Sequence, residues 1–209
     1  MSDHLFEAGV KIAGGVEVTD PAYRFKIDGT TVARKAGTSL FVFAAGPSSA
    51  PSGLDNLGIG PNALNAATTG YGNVNVGASS GRKIEGGYAN VGLGYCSLQD
   101  CVSGCCNTAV GNYSLTYATG SDGVAVGSSA LESVTTGTGN VGVGVEAGEG
   151  SGDMYTGRPC TTGSYNVFLG YQAGFETFDQ YNYGVAIGYR SMIGADWAII
   201  LGTGSHSVG

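Results

Sequence analysis

Four of the chain's five cysteines, Cys96, Cys101, Cys105 and Cys106, fall within eleven residues. Thiols so close in sequence could share a metal ion or pair as disulfides. Their gaps of four residues, three and none match no zinc pattern, and adjacent cysteines rarely both ligate one ion, so no metal is expected. A disulfide within or between chains stays open. So does the plainer role of small buried residues filling a core.

Other groups that could do chemistry are scattered. His4 and His206 stand at opposite ends of the chain with no serine, cysteine or carboxylate arranged around either, so no nucleophile, base and orienting group can be assembled. Glu146, Glu149, Asp153, Glu176 and Asp179 could supply a carboxylate pair for polysaccharide cleavage. All five lie on irregular segments, where solvated loop charges are the simpler expectation. The Gly-x-Gly runs at 92–94 and 142–144 imitate a dinucleotide-binding loop, but such runs arise in most repeats and no helix is expected after them. No catalytic residue, cofactor or metal is therefore assigned.

Aromatic residues give the sharpest binding hint. Residues 165 to 189 hold Tyr165, Phe168, Tyr171, Phe175, Phe178, Tyr181, Tyr183 and Tyr189, eight of the chain's twenty aromatics. Tyrosine offers a rigid stacking surface with a polar handle, suited to sugars and to protein interfaces. The candidate contacts are Tyr171, Phe175, Phe178, Tyr181, Tyr183 and Tyr189, joined by Tyr155 and Arg158 from an irregular stretch just before them.

What must position these residues is a repeat. Asn107-Thr108-Ala109-Val110-Gly111 recurs with small changes nine times, its closing glycines at 60, 77, 94, 111, 127, 144, 170, 188 and 202. The spacings are 17, 17, 17, 16, 17, 26, 18 and 14, a period that predicts a solenoid. Alternation within each unit predicts a strand whose paired aliphatics fill the coil's core, with a small residue between them on the face where another backbone approaches. Asn75, Phe168 and Ile200 break the small-residue rule. Three residues after each of the first eight closing glycines stands Ala or Ser, marking a crowded bend. Leu64, Leu98, Leu115, Leu131 and Met192 follow and can add to the core, whereas Gly81, Gly148 and Gly174 cannot. Gly70, Gly87, Gly104, Gly120 and Gly137 mark a second corner. The asparagines that open six copies are expected to stack as a hydrogen-bonded ladder. The 26-residue spacing places an excursion at 149–160, and loops leaving a solenoid often carry binding function.

Residues 1–50 stand outside the repeat and read as short strands. Val10–Ile12 and Val16–Val18 flank Gly14-Gly15, Tyr23–Ile27 and Thr31–Ala33 flank the hairpin turn Asp28-Gly29, and 39–43 forms a third apolar strand. The Pro/Ser/Gly/Ala run at 44–53 is the linker candidate. The expected organisation is thus an N-terminal β segment at 1–50 and a repeat domain at 51–209.

Composition excludes several function classes. Only 12% of the residues are charged and 39 of 209 are glycine, unlike an ordinary enzyme core. Residues 1–50 hold five basic and five acidic side chains, so the net charge of −7 lies entirely in the repeat region, which offers no footprint for nucleic acid or an anionic membrane. No window approaches eighteen consecutive apolar residues and no leader is recognisable, so synthesis in a cytoplasm without membrane insertion is expected.

The runs at 107–115 (NTAVGNYSL), 123–131 (GVAVGSSAL) and 184–192 (GVAIGYRSM) resemble the repeats of bacteriophage tail-fibre and related virion fibre proteins. They are similar also to the heads of trimeric autotransporter adhesins. The resemblance covers residues 56–202. It implies a left-handed parallel β-roll with three chains side by side, and, for the phage family, attachment of residues 1–50 to another virion protein. The adhesin version departs here, since neither its signal peptide nor its membrane segment is recognisable. The expectation is an all-β protein, an N-terminal hairpin segment followed by a β-solenoid of about nine rungs, forming a homotrimer. Its expected role is non-enzymatic: a tail-fibre component on the outer surface of a phage virion, involved in attachment to a host surface glycan or protein. A capsid decoration or head-fibre protein is the alternative, and a polysaccharide-degrading tailspike a more distant one.

Overall fold

The computed structural model describes residues 53–149, 160–176 and 180–202, and the backbone of three strands between 24 and 42. The chain is all β among these residues, with no helix. Its strands are β1 (Arg24–Ile27), β2 (Thr30–Ala36), β3 (Ser39–Val42), β4 (Leu57–Ile59), β5 (Val74–Val76), β6 (Val91–Leu93), β7 (Thr108–Val110), β8 (Val124–Val126), β9 (Val141–Val143), β10 (Val167–Leu169), β11 (Gly174–Phe175), β12 (Val185–Ile187), β13 (Met192–Ile193) and β14 (Ile199–Leu201). The nine repeat units supply β4 to β10, β12 and β14, which pair in parallel and in perfect register, one above the next, as the rungs of a β-solenoid. Main-chain bonds also link turn to turn, such as Ser79 N–H to the Pro61 carbonyl at 2.8 Å, so the whole coil is laddered.

The expected hairpin of Tyr23–Ile27 with Thr31–Ala33 is present as antiparallel β1 and β2, and β3 extends it. The strands expected at 10–12 and 16–18 lie outside the described residues. β3 also pairs in parallel with β4, Leu40 beside Leu57 and Val42 beside Ile59. That offset is again seventeen residues, so Ser39–Val42 occupies the place of a rung before the first recognisable repeat. It escapes the repeat pattern because Phe43 stands where the closing glycine should be.

The two faces of each rung are the reverse of the expectation. The middle residue points inward: Asn75, Ala109, Ala125, Phe168 and Ala186 are fully buried. The flanking aliphatics point outward, with Leu93, Val126, Val143, Ile187, Ile199 and Leu201 38–54% exposed. Period-two alternation sorts residues into two faces but does not say which is inside. The interior is decided by the turns, because Leu64, Leu98, Leu115 and Leu131, with Ile84, Cys101 and Val134 three residues further on in their rungs, already fill the thin coil. Glycine or alanine is then all that fits opposite most of the leucines.

The exceptions among the middle residues follow from the same volume constraint. Asn75 is large where the turn has Gly81, and Phe168 is large where the turn has Gly174. A Cβ on Gly81 would lie 2.6 Å from Asn75 Oδ1. Gly142 and Gly148 are both small, and Leu131 fills the space from the rung before, while Phe168 approaches Gly148 from the rung after. In the last two turns the chain runs extended as β11 and β13, so Phe175 and Ile193 enter the core one position later. Met192, expected in the core, is therefore only half-buried.

Both corners are columns of closely stacked backbone. The closing glycines from Gly60 to Gly188 have φ between +123° and +141°. From Gly60 to Gly170 an added Cβ would come within 2.8 Å of the next closing glycine's backbone or closer. The small residues of the crowded bend are buried at every copy. At the second corner Gly70, Gly87, Gly104, Gly120 and Gly137 each face the next corner's carbonyl at 2.2–2.5 Å from where a Cβ would sit. The asparagine ladder joins the two corners. Asn90 donates its main-chain N–H and its Nδ2 to Asn73 Oδ1, both at 3.0 Å, and Nδ2 donates also to the Gly104 carbonyl at 2.9 Å. Asn73 and Asn166 repeat that set, so the buried amides are bonded on both sides.

Candidate interaction surface

The outward aliphatics form one continuous strip. On β4 to β14 no strand contains a charged residue, and the eighteen outward positions of the nine rungs hold seventeen aliphatic residues from Val, Leu and Ile, the other being Thr108. Nine rungs at about 4.8 Å and five residues at about 3.3 Å make this strip roughly 700 Å². Monomeric proteins rarely expose an unbroken apolar patch of that size. Charges stand in the turns instead, as where Arg82 and Lys83 meet Asp100, the latter at 3.0 Å.

Aromatic columns flank the strip on its last three rungs. The position before each rung's opening residue carries Tyr165, Tyr183 and Trp197, stacked with ring centroids 5.2 Å and 4.2 Å apart. The position after the closing glycine carries Tyr171 and Tyr189, stacked at 5.6 Å, with the Arg190 guanidinium 5.4 Å from the Tyr189 ring centroid. All five rings are exposed, Trp197 most at 71%. Further down the coil Tyr71 stacks on Tyr88, and Tyr95 meets Tyr113 edge to face. In the stacked columns the rings cover one another's facing sides, while Trp197, which ends its column, is stacked on Tyr183 alone.

The residues expected to make contacts thus divide. Tyr171, Tyr183 and Tyr189 are on the surface beside the strip. Phe175 is fully buried, packed edge to face on Phe168 and on Tyr181, and Tyr181 leans on the core. Phe175 therefore belongs to no contact surface, while Tyr181 is half-buried: an aromatic residue in a solenoid is internal or external according to its place in the rung, which composition alone does not give. Tyr155, Arg158 and Phe178 lie outside the described residues. Trp197 was missed because it stands apart from the tyrosine-rich stretch; its place just before a rung's opening residue, shared with Tyr165 and Tyr183, is the signal that identifies it.

The cysteines are all free thiols and are not gathered into one site. Cys101 and Cys160 are core residues whose thiols burial pushes up, Cys101 to about 11. Cys96 is buried too. Cys105 is half-buried, and its Sγ lies 3.2 Å from the Ser121 hydroxyl, which holds the thiol below its ordinary range. Cys106 is exposed. Among the described residues no three His, Cys, Asp or Glu side chains converge on a common point.

Of the carboxylates, Asp153 and Asp179 lie outside the described residues and Glu176 is exposed. Glu146 accepts from Gln172 Nε2 at 2.5 Å, and Gln172 in turn accepts from Arg190. Glu149 accepts the Ser133 main-chain N–H at 2.6 Å and the Ser133 hydroxyl. Burial pushes its carboxyl up to about 7, against the lowering effect of those two bonds. Compared with protein-family models, with curated proteins and with solved structures, the chain matches none.

Proposed function

We propose that this chain is a non-enzymatic structural protein of a bacteriophage virion, a trimeric fibre component that takes part in attachment to the host. Three copies lie side by side with their aliphatic strips turned towards a common axis. The observation that carries the proposal is the strip itself: a flat, uncharged, parallel sheet face running the length of the repeats. Its roughly 700 Å² is close to the ~800 Å² that each partner brings to a standard interface. A partner that meets the whole strip needs the same rung spacing, and a second copy of the chain has it. The repeat resemblance over 56–202 supports the virion assignment.

Two measurements test the proposal. Sedimentation equilibrium is expected to give three times the 20.9 kDa of one chain; a monomer would remove the structural basis of the fibre. Gold-labelled antibody against the repeat is expected to mark tails in micrographs of intact particles. Label over the capsid would reassign the protein to decoration, and absence of label from particles would end the virion assignment.

A further inference from the structure

The strip has a defect as an interface: it is periodic. Every rung presents nearly the same aliphatic pair, so two copies displaced by one rung, about 4.8 Å, lose only the contacts of the end rung. Featureless strands are prone to such slippage. Hydrophobic burial therefore drives association but hardly selects one alignment. Something aperiodic has to do so.

Cyclic association brings opposite edges of the strip together, because in a closed ring the left edge of one copy meets the right edge of the next. Over most of the coil these edges are small or polar, as Cys106 with Asn112 on β7 and Asp122 with Ser128 on β8. On β10 and β12 both edges are aromatic: Tyr165 with Tyr171, and Tyr183 with Tyr189. Trp197 caps the first column on β14, where 71% of it is exposed. Stacking at 4.2–5.6 Å makes each column a stiff rib with the period of the rungs. Tyrosine and tryptophan ribs of this kind bury large areas at small cost in side-chain entropy.

We propose that these ribs are a register clasp between copies of this chain: Tyr165, Tyr183 and Trp197 of one copy pack against Tyr171 and Tyr189 of its neighbour. The clasp rests on the side-by-side association proposed above and adds what that association lacks, a single alignment. Tyr171 sits between the levels of Tyr165 and Tyr183, and Tyr189 between those of Tyr183 and Trp197, so a slip of one rung in either direction carries one tyrosine past the end of the facing column, towards Gly139 at one end or beyond Trp197 at the other.

The single tryptophan of the chain is a built-in reporter. In the associated protein Trp197 emission is expected to be blue-shifted, with acrylamide quenching several-fold weaker than in the urea-unfolded chain. Tyr171→Ser with Tyr189→Ser, on the opposite edge, is expected to leave the sedimented mass unchanged while Trp197 becomes freely quenchable. Alignment is read separately, by pulsed electron paramagnetic resonance between spin labels on Cys106 in a Cys105→Ser background. One narrow distance distribution is expected, broadening when the two tyrosines are replaced. An associated protein in which Trp197 is fully quenchable overturns the clasp and leaves the association standing, as does a distance distribution indifferent to the tyrosines. A monomeric protein overturns both.

Discussion

Asn75 shows how a single residue is chosen by its opposite number across the coil. It is fully buried, accepts from the Ser80 hydroxyl at 2.9 Å, and leaves its Nδ2 without a partner, a condition that costs about 1–3 kcal/mol. The asparagine stands there because Gly81 leaves a space that Leu98 fills in the next rung, opposite Gly92. Gly81→Leu alone is predicted to destabilise by roughly 2–4 kcal/mol, through collision with Asn75. Asn75→Gly combined with Gly81→Leu copies the next rung and is predicted to recover the loss, a coupling above about 2 kcal/mol in a double-mutant cycle followed by urea unfolding. Glu149 makes a second prediction at this scale. Its carboxyl is raised from 4.5 to about 7 in the folded chain, so between those values the folded state holds the extra proton. Stability is therefore predicted to fall as pH rises through that window and to level off above it. Glu149→Gln should flatten the slope when urea midpoints are compared near pH 5 and near pH 8; a wild-type midpoint that rises over the same range would contradict the assignment.

At the scale of the rung, backbone crowding outweighs side-chain chemistry. Gly127 has φ +137° and a Cβ added there would lie 2.4 Å from the Gly144 carbonyl oxygen. Gly72 also has positive φ, +65°, but its Cβ would meet nothing closer than 3.9 Å. Gly127→Ala is accordingly predicted to cost more than about 3 kcal/mol, and Gly72→Ala about 1 kcal/mol of conformational strain. Thermal unfolding of the two variants separates these cases. Most of the rung was legible in the sequence because such constraints leave a strict signature: closing glycines, the small bend residue, the second-corner glycine and the asparagine ladder all stand where the period placed them. The aliphatic pairs were assigned to the wrong face because alternation has no sign. The sign lay in data already visible, since the sites where the middle residue is large, Asn75 and Phe168, are sites where the turn has lost its leucine. β3 was legible as a strand and not as a rung, because pairing with β4 requires only an open sheet edge and no repeat motif. The exposed aromatic columns were half legible: tyrosine content pointed to the stretch that carries them, but only position within the rung separates Tyr183 on the surface from Phe175 in the core.

For the whole molecule, turning the aliphatics outward changes the physical problem. A coil whose core held those aliphatics would be complete as a single chain, whereas this one carries its longest apolar surface on the outside. On the association proposed above that surface is buried between copies, and the placing of charged side chains in the turns and none on the rungs suits it. It also makes the strip sensitive to charge. Val126→Glu with Val143→Glu places two carboxylates at the middle of the strip, where side chains are 39–40% exposed in the single chain and can stay solvated only there. The most direct test of the account is sedimentation velocity of the unaltered protein beside this pair of substitutions, with circular dichroism of both. The account predicts a trimer for the former and a monomer with an unchanged β spectrum for the latter; an unaltered protein that sediments as a stable monomer would contradict it.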